Sequence, residues 1–179
     1  MLEKNIVEHC APTLAGMKCG SLFYHRYTGP SVHDEIKDIN LKLRCKGVSI
    51  TVLRSTDSGH LIYVYRKNMV SEHLSYAGCL LKDLGYDHVR TGSAIKHLRS
   101  RAEAGRLPPE IGIFLGYPLE DVVGFIENDG KDCKCIGCWK VYGDEEQAVK
   151  LFNKYRKCRA VYRRIYNVGV PVERLTVSV

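Results

Sequence analysis

Four of the eight cysteines fall within 26 residues, and three of these form the run Cys133-Lys-Cys-Ile-Gly-Cys138. Spacing this tight lets thiolates converge on one zinc ion or on an iron–sulfur cluster, and Lys131 and Lys134 favour the thiolate form. Cys158 is available as a fourth ligand. A complete site usually shows two separated ligand pairs, however, and this run leads into a segment with strand character, where side chains alternate between faces. Buried or incidental thiols are the simpler reading, with metal binding second.

Other residues invite different chemistry. His9 and Cys10 are neighbours, but on a helix their side chains diverge by about 100°, so a nucleophilic Cys10 needs a base from elsewhere, such as His25, His33 or His60. A core cysteine explains Cys10 more simply; Cys19 is the other candidate nucleophile. Lys18, beside Cys19 and Ser21 in a glycine-flanked loop, can contact an anion, or can be an ordinary solvated lysine. Tyr117, Trp139 and Tyr142 are able to wall a pocket for a flat ligand, although aromatic residues in strands are more often core. Glu120 and Asp121 open a helix, where its dipole accounts for them without a catalytic role. Lys150, Lys154, Arg156, Lys157, Arg159, Arg163 and Arg164 surround Tyr155, Tyr162 and Tyr166 in a basic stretch. Phosphate contacts and base stacking are conceivable there, but the tyrosines fall on the apolar stripe and a solvated basic face is the simpler reading.

The chain that must position these groups has 179 residues, 45% of them hydrophobic, enough for one core, and we expect a single domain spanning residues 1–179. Its 27 Lys and Arg against 20 Asp and Glu give a net charge of +7, which favours anionic partners. No run approaches the roughly 20 apolar residues that span a bilayer. Glu3, Glu8 and His9 stand where a signal peptide needs apolar residues, so no membrane partner and a cytoplasmic location are expected. In that compartment cysteines stay reduced.

Periodicity supplies the elements. Leu2, Ile6, Cys10 and Leu14 stripe a first helix ending near Gly16, and Ser31 or Asp34 caps a second that carries Ile36, Ile39, Leu43 and Cys45 and closes at Gly47. The β-branched run Val48 to Leu53, the turn Thr56 to Gly59 and the run His60 to Arg66 predict an antiparallel hairpin. Helices are expected over residues 68–84 and from Thr91 to Ala104. A strand is expected from Ile111 to Leu115, a helix from Pro118 through Phe125 and a last strand from Ile136 to Tyr142. Asp144 with Gln147 three residues on starts a long helix whose face runs through Ala148, Leu151, Phe152, Tyr155, Cys158, Tyr162 and Ile165. Together these give an α+β fold, helices packed on a small mixed or antiparallel sheet.

The stretch Glu110-Ile-Gly-Ile-Phe-Leu-Gly-Tyr-Pro118, continuing through Glu120-Asp-Val-Val-Gly-Phe-Ile-Glu-Asn128 and Trp139-Lys-Val-Tyr142, resembles a bacterial domain-of-unknown-function family numbered 3793. So do the opening His9-Cys-Ala-Pro-Thr-Leu-Ala-Gly-Met-Lys18 and the segment from Leu61 to Tyr86. The resemblance implies no particular activity. It does imply an association with iron and flavodoxin-type genes in anaerobes, aromatic residues in parts of the Cys133 to Cys138 stretch of other members, and a His where this chain has Pro109. The expectation is a small-ligand- or metal-binding protein with Lys18, Tyr117, Trp139 and the Cys133 to Cys138 loop near its site. Its ligand would be small and anionic, aromatic or metal-containing. A cysteine-dependent enzyme and an RNA- or DNA-binding module using the basic C-terminal helix are the alternatives.

Overall fold

A computed structural model of the protein describes residues 2–26, 32–86, 90–103 and 105–178. The fold is α+β, and its contacts cluster into two compact units, Met1–Met69 with Lys157–Val179, and Val70–Arg156.

The first unit is built on a three-stranded antiparallel sheet. Strand β1 (Gly20–His25) and strand β2 (Val48–Thr56) flank β3 (Gly59–Arg66). The expected hairpin is present: Thr56 pairs with Gly59 across a two-residue turn, and register shifts once, between Val52 and Arg54. Gly59 has φ +147, and a Cβ there would lie 2.3 Å from the His25 carbonyl of β1, so only glycine lets the strand pass that close. β1 itself was not anticipated, although Ser21-Leu-Phe-Tyr-His25 is rich in strand formers.

Helix α1 (Leu2–Leu14) lays Leu2, Ile6, Cys10 and Leu14 into a buried cluster with Phe23, Ile62 and Val64. Helix α2 (Val32–Leu43) adds Ile36, Ile39 and Leu43, and its Asn40 side chain exchanges two hydrogen bonds with the Ile50 backbone, satisfying groups that an edge strand leaves open. Asp34 does not cap α2 but lies within its first turn, because the helix already begins at Val32; Ser31 lies outside the described residues. Cys45 does not join the apolar face. It sits in a 3₁₀ turn over Arg44–Lys46, whose tighter winding leaves it exposed, while Gly47 closes the element in the left-handed conformation.

Arg66 ends β3 buried, 2% exposed, without a carboxylate partner among the described residues. Its guanidinium donates to the carbonyls of Thr13, Leu14, Lys46 and Val177 at 2.6–3.0 Å. Two of these carbonyls end α1, where helices leave acceptors unmatched, so the arginine completes a helix terminus and ties the C-terminal segment to it. That segment includes helix α9 (Val172–Leu175), whose two bounding residues join the same cluster.

The helix expected over residues 68–84 is two helices, α3 (Lys67–Tyr76), which runs from the first unit into the second, and α4 (Gly78–Asp83), interrupted at Ala77 next to a glycine that weakens the helix by about 1 kcal/mol. Gly85, with φ 85, then closes α4, and the Tyr86 amide reaches back to the Leu81 carbonyl at 2.9 Å. Helix α5 (Thr91–Glu103) follows as expected; Ala104 lies outside the described residues.

The segment expected as a strand at Ile111 to Leu115 is helical. Helix α6 (Ile111–Phe114) is started by Pro108 and Pro109, whose carbonyls accept from the Ile111 and Gly112 amides. It ends at Gly116, φ 69, with the Tyr117 amide bonded to the Gly112 carbonyl at 2.9 Å. Helix α7 (Leu119–Glu127) follows Pro118 as expected. The expected last strand, Ile136 to Tyr142, is a small hairpin of β4 (Cys135–Ile136) and β5 (Lys140–Val141), because Gly137 and Cys138 turn the chain back on itself. The Phe152 ring lies where a Cβ of Gly137 would fall, 2.1 Å away, which ties the turn to the long helix α8 (Glu145–Asn167). Asp144 caps that helix through a 3.0 Å bond from the Gln147 amide.

Candidate functional site

The second unit holds an apolar cleft of about 300 Å³. Pro108, Pro109, Tyr117, Val122, Phe125 and Trp139 supply most of its wall, and Asp121 and Lys140 its charges. Trp139, the sole tryptophan, is held on three sides. Its ring stacks on Tyr117 at 4.6 Å and meets Phe152 edge-on at 4.5 Å, while its indole N–H donates to Asp121 at 2.6 Å. Asp121 is buried at 3% exposure and also accepts from the Tyr142 and Gly143 amides at 2.7 and 2.8 Å. One carboxylate on α7 thus anchors the hairpin and fixes the indole that walls the cleft. The helix-dipole reading of Asp121 holds as far as it goes, but it missed these three bonds.

Lys140 donates to the Gly130 carbonyl at 2.6 Å and lies 5.9 Å above the Phe125 ring, leaving two ammonium protons to spare. A second cleft of about 550 Å³ shares Leu107, Pro108, Pro109 and Phe125 with the first and adds Arg101, Arg106 and Asp129. The Arg101 of this cleft is bonded to Glu110, fully buried, which accepts from the Tyr86 hydroxyl at 3.0 Å and from Arg101 Nε and Nη2. Burial, reinforced by the Glu110 carboxylate, pushes the Tyr86 hydroxyl well up, and the bond to Glu110 holds Arg101 charged. His97 packs on Tyr86 with ring centres 4.3 Å apart. This Tyr86–Glu110–Arg101 group was not read from the sequence; a glutamate within Pro-Glu-Ile-Gly, an apolar setting, was the available signal.

Of the expected ligand residues, Tyr117 and Trp139 meet in one cleft. Lys18 belongs to the other unit, half-buried between α1 and β1. The cysteines are thiols throughout the described residues. Cys133, Cys135 and Cys138 are half-buried along the hairpin, whereas Cys158 falls in the first unit. Partial burial, then the Glu145 carboxylate, pushes the Cys135 thiol up, and Lys134 is engaged with the Gly143 carbonyl instead. Among the described residues no three His, Cys, Asp or Glu side chains group so as to hold a metal ion. Cys10 sits in the core with its thiol pushed far up by burial, and burial raises Cys19 to about 12. Neither environment makes a thiolate at neutral pH, which is what a cysteine nucleophile requires. His25, one possible base, has its Nδ1 occupied by the Asn5 amide at 2.8 Å.

What fold and site define is an α+β protein with an aromatic-walled cleft anchored on a buried aspartate. The chain belongs to the family described as protein of unknown function (DUF3793), whose model matches residues 6–176. No curated protein and no solved structure matches it. No helix among the described residues is long and apolar enough to cross a membrane.

Proposed function

We propose that this protein binds a small aromatic acid in the Tyr117–Trp139 cleft. The observation that carries the reading is the stacked Tyr117–Trp139 pair walling an apolar space of about 300 Å³, within the volume range of small-molecule sites. Flat apolar ligands gain from such a wall by burial and offset stacking. Lys140 at the edge, and Arg101 and Arg106 in the adjoining space, are the groups to receive a carboxylate. A cytoplasmic setting suits eight cysteines that carry no disulfide.

Naphthalene-1-acetate serves as the probe, read by saturation-transfer NMR on the full chain. Transfer to the ring protons is expected, together with a change in Trp139 emission. Tyr117→Leu, which removes the stacking partner and keeps an apolar side chain, should weaken binding about tenfold, in line with roughly 1.4 kcal/mol for a lost aromatic contact. No transfer and an unchanged Trp139 emission across a series of aromatic acids would remove this reading.

A further inference from the structure

The excess of basic over acidic residues in this protein traces to one stretch of the chain. Residues 147–172 contain seven Lys and Arg and no Asp or Glu, so the remaining twenty cations balance the twenty acids elsewhere in the chain. That stretch therefore carries a formal charge equal to the protein's +7, and all seven of its cations lie on α8, whose first two residues, Glu145 and Glu146, are acidic. Lys150, Lys154, Arg156, Lys157, Arg163 and Arg164 are all exposed. At 100° per residue they occupy about half of the helix circumference: Lys150, Lys154, Lys157 and Arg164 lie on the side away from Ala148, Phe152 and Tyr155, Arg156 and Arg163 lie nearer to Phe152, and the six extend over about 21 Å of the axis. Lys150 is matched by Glu146 one turn earlier. The other five have no carboxylate partner among the described residues.

We propose that this face of α8 binds the phosphate backbone of a nucleic acid duplex without reading its sequence. An unneutralised row of five cations opposes the compact state and is retained at a cost, and a polyphosphate spaced along an axis is the partner whose charge matches it. Single strands are bound chiefly by stacking bases on exposed aromatic rings. On α8 the tyrosines are turned inward, with Tyr155 3% exposed and Tyr162 and Tyr166 packed against buried residues. A membrane surface calls for Trp, Phe or Leu on the helix to enter the headgroup layer, and the exposed large apolar side chains of α8 are Val149 and Val161.

The test is fluorescence anisotropy of a labelled mixed-sequence duplex, about two helical turns long, titrated with the full chain at several salt concentrations. Five phosphate contacts predict that log K falls against log salt with a slope of about −4.5. The triple variant Lys154→Gln, Lys157→Gln and Arg164→Gln should flatten this slope to about −2. The triple variant Lys37→Gln, Lys82→Gln and Arg99→Gln removes the same charge at other exposed positions and should leave the slope in place. Circular dichroism confirms that both variants fold. Absence of duplex binding at low salt overturns the proposal, as does equal loss in both variants, tighter binding to oligo-dT, or binding confined to anionic vesicles.

Discussion

Asp121 stands where the helix dipole favours a carboxylate whatever else it does. Its larger task is to accept three hydrogen bonds from the hairpin, one of them from the indole of Trp139. Asp121→Ala leaves those donors buried without an acceptor at about 1 kcal/mol each, so a loss of about 3 kcal/mol is expected. A red shift of the Trp139 emission should accompany it. Urea unfolding followed by that emission measures both, and an unchanged midpoint would mean that the hairpin holds itself in place. Arg66 is the counterpart in the first unit. Arg66→Met keeps an apolar stem but strands the Lys46 and Val177 carbonyls, while those of Thr13 and Leu14 keep the Gly16 and Val177 amides, and about 2 kcal/mol should be lost; Arg66→Lys recovers only part, because one ammonium cannot reproduce the fork. Both residues are visible in the sequence by type. Their roles are not, because the partners lie 18 to 22 positions away for Asp121 and up to 111 for Arg66.

Elements were legible where periodicity and termini agree. The stripe of α1, the hairpin of β2 and β3, and the Asp144 start of α8 all follow from local rules. Asp144→Ala should therefore cost about 1 kcal/mol of helix-terminus stability, read as a lowered unfolding midpoint, and Asp144→Asn should cost less. Reading failed where the two signals conflict. Ile111 to Leu115 is composed like a strand, yet Pro108-Pro109 ahead of it and Gly116 behind it are the marks of a helix start and stop, and these won because they fix backbone angles outright. The segment Ile136 to Tyr142 failed differently. Its strand composition is real, but Gly137 sits under the Phe152 ring, a contact between residues 15 apart that no local pattern reports. Aromatic type alone singled out Tyr117, Trp139 and Tyr142 as pocket walls; the first two line the cleft and Tyr142 does not. The anchoring of Trp139 by Asp121 was not legible, since it depends on where α7 meets the hairpin.

At the scale of the molecule, composition was informative about charge and silent about the two compact units, which local patterns do not separate because α3 and α8 each run across their sequence boundaries. Composition is also silent about which titratable groups are buried, and this sets the pH range of stability. Burial lowers the pKa of His25 and of His73 below the usual 6.5; Glu35 opposes the shift at His25, with His60 and the N-terminus adding to it, and Glu72 opposes it at His73. The unfolded chain therefore takes up these protons first, so their contribution is complete above about pH 7 and is lost as pH falls through 6.5 and below. On the alkaline side the buried thiols of Cys10 and Cys19 and the hydroxyl of Tyr63 are raised by burial. Here the unfolded chain ionises first, and stability is lost as pH rises above about 9. A plateau between about pH 7 and 9 is expected in the thermal midpoint, falling on both sides. His25→Gln, which keeps an acceptor for Asn5, should flatten the acid limb, and replacing Cys10 and Cys19 by Ala should flatten the alkaline one. A midpoint that holds level from about pH 5 to 10 would show that these groups keep their ordinary ionisation in the folded chain.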